Sequence, residues 1–67
     1  MEKDWVSIFI TDQEFLAELA RVVLEENDIE NVIMNQKDKS YQFGEIEVYV
    51  HRDNAIRAKY LLKELEN

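Results

Sequence analysis

The sequence has no cysteine, no proline and a single glycine. Without thiols there are no disulfide staples and no thiolate metal sites, so the fold rests on packing alone. One glycine cannot build the glycine-rich loop that cradles phosphates. Basic residues are scarce as well: eight Lys and Arg stand against fifteen Asp and Glu, for a net charge of −7. Non-specific nucleic-acid binding displaces counterions from phosphates with a basic surface, and this balance is acidic. Anionic membranes repel such a chain for the same reason. Apolar runs are only a few residues long, too short to span a bilayer. Met1-Glu2-Lys3-Asp4 has no basic region leading into an apolar stretch. No signal peptide is therefore expected, and the expected setting is cytoplasmic.

What is present is a dense mixture. Of 67 residues, 46% are hydrophobic and 34% charged, too apolar for a disordered acidic tail. The length predicts one domain over residues 1–67. Such a chain buries only about 60% of its unfolded surface. Its expected stability is about 3–10 kcal/mol. Charge is unevenly placed. Residues 1–31 carry nine acids and two bases, whereas residues 32–67 carry six of each. A solubilising helix face is the simpler account of that excess, and steering of a basic partner the sharper one.

Asp4-Trp5-Val6-Ser7-Ile8-Phe9-Ile10 is rich in aromatic and β-branched residues and reads as a strand. Its parity puts Val6, Ile8 and Ile10 on one side, and Trp5, Ser7 and Phe9 on the other. Thr11-Asp12-Gln13-Glu14 matches a capping box, with Ile10 and Phe15 at the staple positions. A helix is predicted from about 12 to 26, with Phe15, Leu16, Leu19, Ala20, Val22 and Val23 as its apolar stripe. Glu14, Glu18, Arg21 and Glu25 lie opposite, and Asn27 is the expected left-handed terminator. Residues 29–35 read as a second strand of open register: either Val32 and Met34 face the core, or Ile29 and Ile33 do. Residues 36–44 form a polar turn holding Tyr41 and Phe43, and Gly44 serves a backbone conformation costly to other residues. The stretch from Glu45 to His51 alternates cleanly, with Ile46, Val48 and Val50 inward. Asp53 is the expected cap of a last helix from 54 to about 66, which buries Ala55, Ala58, Leu61, Leu62 and Leu65.

The order is therefore βαββα, in the α+β class. The first two strands, joined through a helix, make a right-handed crossover with the third strand between them. That is a split βαβ, the ferredoxin-like arrangement without its last strand. Both helices then cover one face of a three-stranded sheet. On this reading Trp5, Phe9 and Tyr49 face away from the helices, and the first strand lies at an edge. Clustered aromatics on an open sheet mark an interaction surface. The alternative is that the turn, through Tyr41 or Phe43, folds back over them.

The residues offer little chemistry. His51 is the only histidine, with Asp53 beside it, too few ligands for a metal site. Glu45 and Glu47 share a strand face but read as exposed, with no cleft to raise a pKa. Ser7 and Ser40 have no evident base, and nucleophilic catalysis lacks its parts. Lys37 and Lys39 flank the turn and read as solvated. No cofactor, metal or catalytic residue is expected.

Several segments resemble a small bacterial family, the putative prokaryotic signal transducing proteins, a domain of otherwise unknown function. They are Trp5-Val6-Ser7-Ile8-Phe9, the stretch from Leu24 to Glu30, that from Ser40 to Val50, and the Ala-spaced last helix. The tyrosine, the Phe-Gly-Glu and the alternating strand are the most specific part. The resemblance implies a fold like that of the nitrogen-regulatory PII proteins, and a regulatory role. The family often has glycine where Asp28 stands. The turn 36–44 is too short and glycine-poor to carry over the long PII loop, so nucleotide binding is not transferred. The leading expectation is a non-catalytic regulatory domain that binds a protein partner or a second copy through Trp5, Phe9 and Tyr49. The turn with Tyr41 and Phe43 adds specificity. A small-ligand sensor, with a pocket between sheet and turn, is the competing class. An enzyme using His51 with Glu45 or Glu47 is a weaker third.

Overall fold

The computed structural model describes residues 4–36 and 44–66. In chain order, β1 spans Trp5–Thr11, α1 Glu14–Glu26, β2 Asn31–Asn35, β3 Ile46–His51 and α2 Ala55–Leu62. Short 3-10 turns at Arg52–Asn54 and Lys63–Leu65 flank α2. The strands form one antiparallel sheet in the order β1-β3-β2. This is the expected α+β, ferredoxin-like split βαβ, with β1 at an edge. Both helices pack on one face of the sheet and against each other. β3 takes the central place because its inward residues Ile46, Val48 and Val50 are apolar and fully buried. Val48 and Val50 cluster with Ala20 and Leu24 of α1 and Ala58 and Leu62 of α2. The alanines let the helices approach the sheet closely.

β1 departs from its own alternation. Pairing with β3 runs Trp5 to His51, Val6 to Val50 and Ser7 to Tyr49, then resumes with Phe9 opposite Val48 and Ile10 opposite Glu47. Ile8 is the extra residue of a β-bulge, which reverses the parity of everything after it. Phe9 therefore points into the core, 4% exposed, and Ile10 points out, 52% exposed. Both were expected the other way round. A regular strand would bury Ile8 and Ile10 and leave the phenylalanine outside. The bulge buries Ile8 and Phe9 together and gives the core the larger ring, which carries more apolar area.

α1 is rotated relative to the expected stripe. Ala17, Ala20 and Leu24 are buried, and Leu16 and Val23 pack at the margin. Phe15, Leu19 and Val22, expected inside, are exposed. The apolar arc of this helix is wider than the strip the sheet can cover, and small residues won the closest positions. The helix begins at Glu14, not at 12. Its N-cap is Gln13, whose amide donates to Thr11 Oγ1 at 3.1 Å, so the predicted capping box does not form.

The helix ends in a Schellman motif. The Ile29 amide donates to the Leu24 carbonyl at 2.9 Å, and the Asp28 amide to the Glu25 carbonyl at 3.1 Å. The left-handed residue is Asp28, at φ 60°, not Asn27. Asn27 instead donates its side-chain amide to the Val23 carbonyl at 2.8 Å. Ile29 and Leu24 then meet in the core. β2 resolves the open register in favour of Ile29 and Ile33 facing inward, since Ile33 lies opposite Val48 and Val32 opposite Tyr49. Gly44 has φ 107°, the positive value for which glycine is favoured. The last helix starts through a 3-10 turn, without a side-chain cap from Asp53.

Candidate functional site

The open face of the sheet is set by the strand register. β1 contributes Trp5, Ser7 and, after the bulge, Ile10. β3 contributes Glu47, Tyr49 and His51, and β2 contributes Val32 and Met34. Among the described residues, no helix or strand lies over this face. Ile10 and Met34 are exposed, while Trp5, Val32 and Tyr49 are half-buried by their neighbours. The result is a broad, mostly apolar strip with polar groups along its length.

Those polar groups are tied down. Tyr49 donates its hydroxyl to Glu47 Oε1 at 3.3 Å, and Gln36 donates its side-chain amide to Glu47 Oε2 at 3.3 Å. Partial burial pushes the Tyr49 phenol above its ordinary range, and the nearby Glu47 charge and hydrogen bond add to the shift. At the other end Trp5 meets His51 edge-on, with ring centroids 5.7 Å apart. His51 Nδ1 lies 3.9 Å from Asp53 Oδ2. The Ser7 hydroxyl, opposite Tyr49, is shielded from solvent and makes no hydrogen bond among the described residues. The Asp4 carbonyl accepts from the Arg52 amide at 2.7 Å, and the Arg52 guanidinium pairs with Asp4 at 3.2 Å, which clamps the start of β1.

The structure brings Trp5 and Tyr49 onto one face, with one residue between them along β1's register. It removes Phe9 from that face to the core. Tyr41 and Phe43, with Lys37, Lys39 and Ser40, lie outside the described residues. Ile10, Val32 and Met34 are additions. Val32 and Met34 reach this face because β2 takes the second of its two open registers, the one that turns Ile29 and Ile33 to the core. No local signal marks Ile10, because the bulge contains no glycine and Ile8, Phe9 and Ile10 are all apolar, so that either parity offers an apolar inward side.

A shallow cavity of about 160 Å³ lies on the helix side, lined by Glu14, Ala17, Glu18, Ile33, Asn35 and Ile46. Small-molecule sites typically enclose about 300–1,000 Å³. Among the described residues, no three His, Cys, Asp or Glu side chains are grouped to hold a metal ion. No described helix is long and apolar enough to cross a membrane.

Comparison with known proteins returns a family match over nearly the whole chain. The profile of the family described as "putative prokaryotic signal transducing protein" covers residues 5–66. No match was found among curated proteins.

Proposed function

The chain belongs to the family of putative prokaryotic signal transducing proteins, and from that premise we propose that it is a non-catalytic, cytoplasmic regulatory domain that binds a protein partner through the open face of its sheet. One observation carries this reading: Trp5, Ile10, Val32, Met34 and Tyr49 share a face that neither helix covers. Buried interface cores favour aromatics and methionine and exclude charge. The apolar strip from Trp5 to Met34 has that composition, and the Glu47–Tyr49 pair supplies polar groups at fixed positions. Gln36 donates its backbone amide to the Glu45 carbonyl at 3.0 Å, so the two described residues that flank the 36–44 segment are held at the end of the sheet. That segment belongs to the same proposal as a specificity element, through Tyr41 and Phe43.

Affinity capture from native extract tests the reading, comparing wild type with Trp5→Ala/Ile10→Asp. The variant is expected to fold, shown by an unchanged circular-dichroism spectrum, and to lose the captured protein. Equal recovery by wild type and variant counts against the open face. Phe9→Ala is unsuitable here, because Phe9 is a core residue and its loss would mimic a binding defect by unfolding.

A further inference from the structure

The helix side of the molecule carries a second apolar surface that no described element covers, with its charges sorted by helix. On α1, Phe15, Leu19 and Val22 follow a spacing of four and three residues and form one exposed row. On α2, Ile56 and Tyr60 are one turn apart and are 86% and 66% exposed, the pole opposite its buried Ala58 and Leu62. α1 holds four acids and one base, Arg21, which already bridges Glu18 and Glu25. α2 holds Arg57 and Lys59 and no acid. Among the described residues, neither of these two bases forms an ion pair. Lys63 follows directly, its ammonium 4.6 Å from the centre of the Tyr60 ring.

We infer that the helix layer is a self-association surface, and that its occupant is a second copy of this chain. The two helices lie side by side on the sheet, one acidic and one basic, each with an exposed apolar row. A two-fold axis through such a layer sets α1 of one subunit on α2 of its partner, and α2 on the partner's α1. Both contacts are then apolar at the centre and opposite in charge at the rim, which is the self-complementarity an isologous dimer needs. The other two-fold arrangement, α1 on α1 and α2 on α2, would oppose acid to acid and base to base and is disfavoured. The dimer leaves the two open sheet faces pointing outward in opposite directions. Each remains available to a partner, so the inference goes beyond the sheet-face reading and stands or falls without it.

Sedimentation of the full chain over roughly 1–500 µM tests it. Wild type is expected to dimerise, less strongly as salt rises. Ile56→Asp is expected to weaken association by about tenfold or more, since it puts a charge at the centre of the contact. Arg57→Glu/Lys59→Glu and, separately, Glu14→Lys/Glu26→Lys are each expected to be monomeric. Mixing the two should restore a dimer, because each variant then meets a helix of opposite sign. All these positions are exposed, and thermal melts verify that the folds are intact. A wild type that stays monomeric throughout overturns the inference. So does a dimer indifferent to Ile56→Asp, or a mixture that stays monomeric. A dimer lost on Ile10→Asp also overturns it, by placing the contact on the sheet face.

Discussion

β1 and β3 are neighbouring strands of similar length; β3 alternates from side to side along its whole length, whereas β1, apolar at every position from Trp5 to Ile10 except Ser7, changes parity partway. In β3, Ile46, Val48 and Val50 are buried while Glu47, Tyr49 and His51 point the other way. In β1 the same pattern holds as far as Ser7 and reverses after Ile8. The difference lies in what surrounds each strand. β3 pairs on both sides, and a bulge there would disrupt two ladders. β1 pairs on one side only, so an extra residue disturbs a single ladder, and edges are where bulges accumulate. Alternation is therefore most trustworthy for a central strand and least for an edge.

Substitution gives the sharpest break of that comparison. Phe9→Ala is expected to cost about 3–5 kcal/mol, the usual range for emptying a buried aromatic site. Ile10→Ala is expected to cost well under about 1.5 kcal/mol, because Ile10 is half in water. Urea titration of both variants checks this. Equal losses, or a larger loss at Ile10, would mean that the strand is regular and the bulge absent. A second contrast of pattern with backbone geometry sits at the end of α1. Asp28→Gly is expected to stabilise by about 0.5–1 kcal/mol, since glycine takes a positive φ without a steric penalty. It also removes an acid from the negative end of the helix dipole. Asn27→Gly is expected to destabilise by about 1 kcal/mol, through loss of its bond to the Val23 carbonyl. Thermal melts that rank the two in the opposite order would place the left-handed residue at Asn27.

The smallest expected effect concerns the outward side of β3. Tyr49 has a raised phenol pKa in the folded state, so the folded chain holds that proton more tightly than the unfolded one. Its contribution to stability is complete below the ordinary tyrosine pKa of about 10 and is lost as pH rises through the folded value. Tyr49→Phe should leave the stability profile unchanged near neutrality and remove part of its alkaline decline. Stability measured by denaturant titration at a series of alkaline pH values checks this, and identical declines in both proteins would show that folding does not raise the Tyr49 phenol.

Several features were legible because they depend on local period. The element order, the three strands and the central role of the 45–51 stretch follow from alternation and from the 3.6-residue repeat. Topology then followed from chain connectivity, since a helix between two strands forces a crossover. Trp5 and Tyr49 were readable as members of the side away from the helices, because both precede or lie outside the bulge. Phe9 was not, because one inserted residue changes the side of every later one without changing a letter.

α1 illustrates the same limit on a helix. It has eight apolar residues in thirteen, so its moment marks a broad side but not the strip in contact with the sheet. Sequence determined that the helix is amphipathic. Only packing decided that Ala17, Ala20 and Leu24 make the contact while Phe15, Leu19 and Val22 stay outside. Likewise the letters at 27 and 28 both permit a left-handed turn, and the hydrogen bonds from Asp28 and Ile29 selected one. Local sequence determines which conformations are inexpensive for each segment. The tertiary structure chooses among near-equivalents, because core volume and shape are shared by residues far apart in the chain.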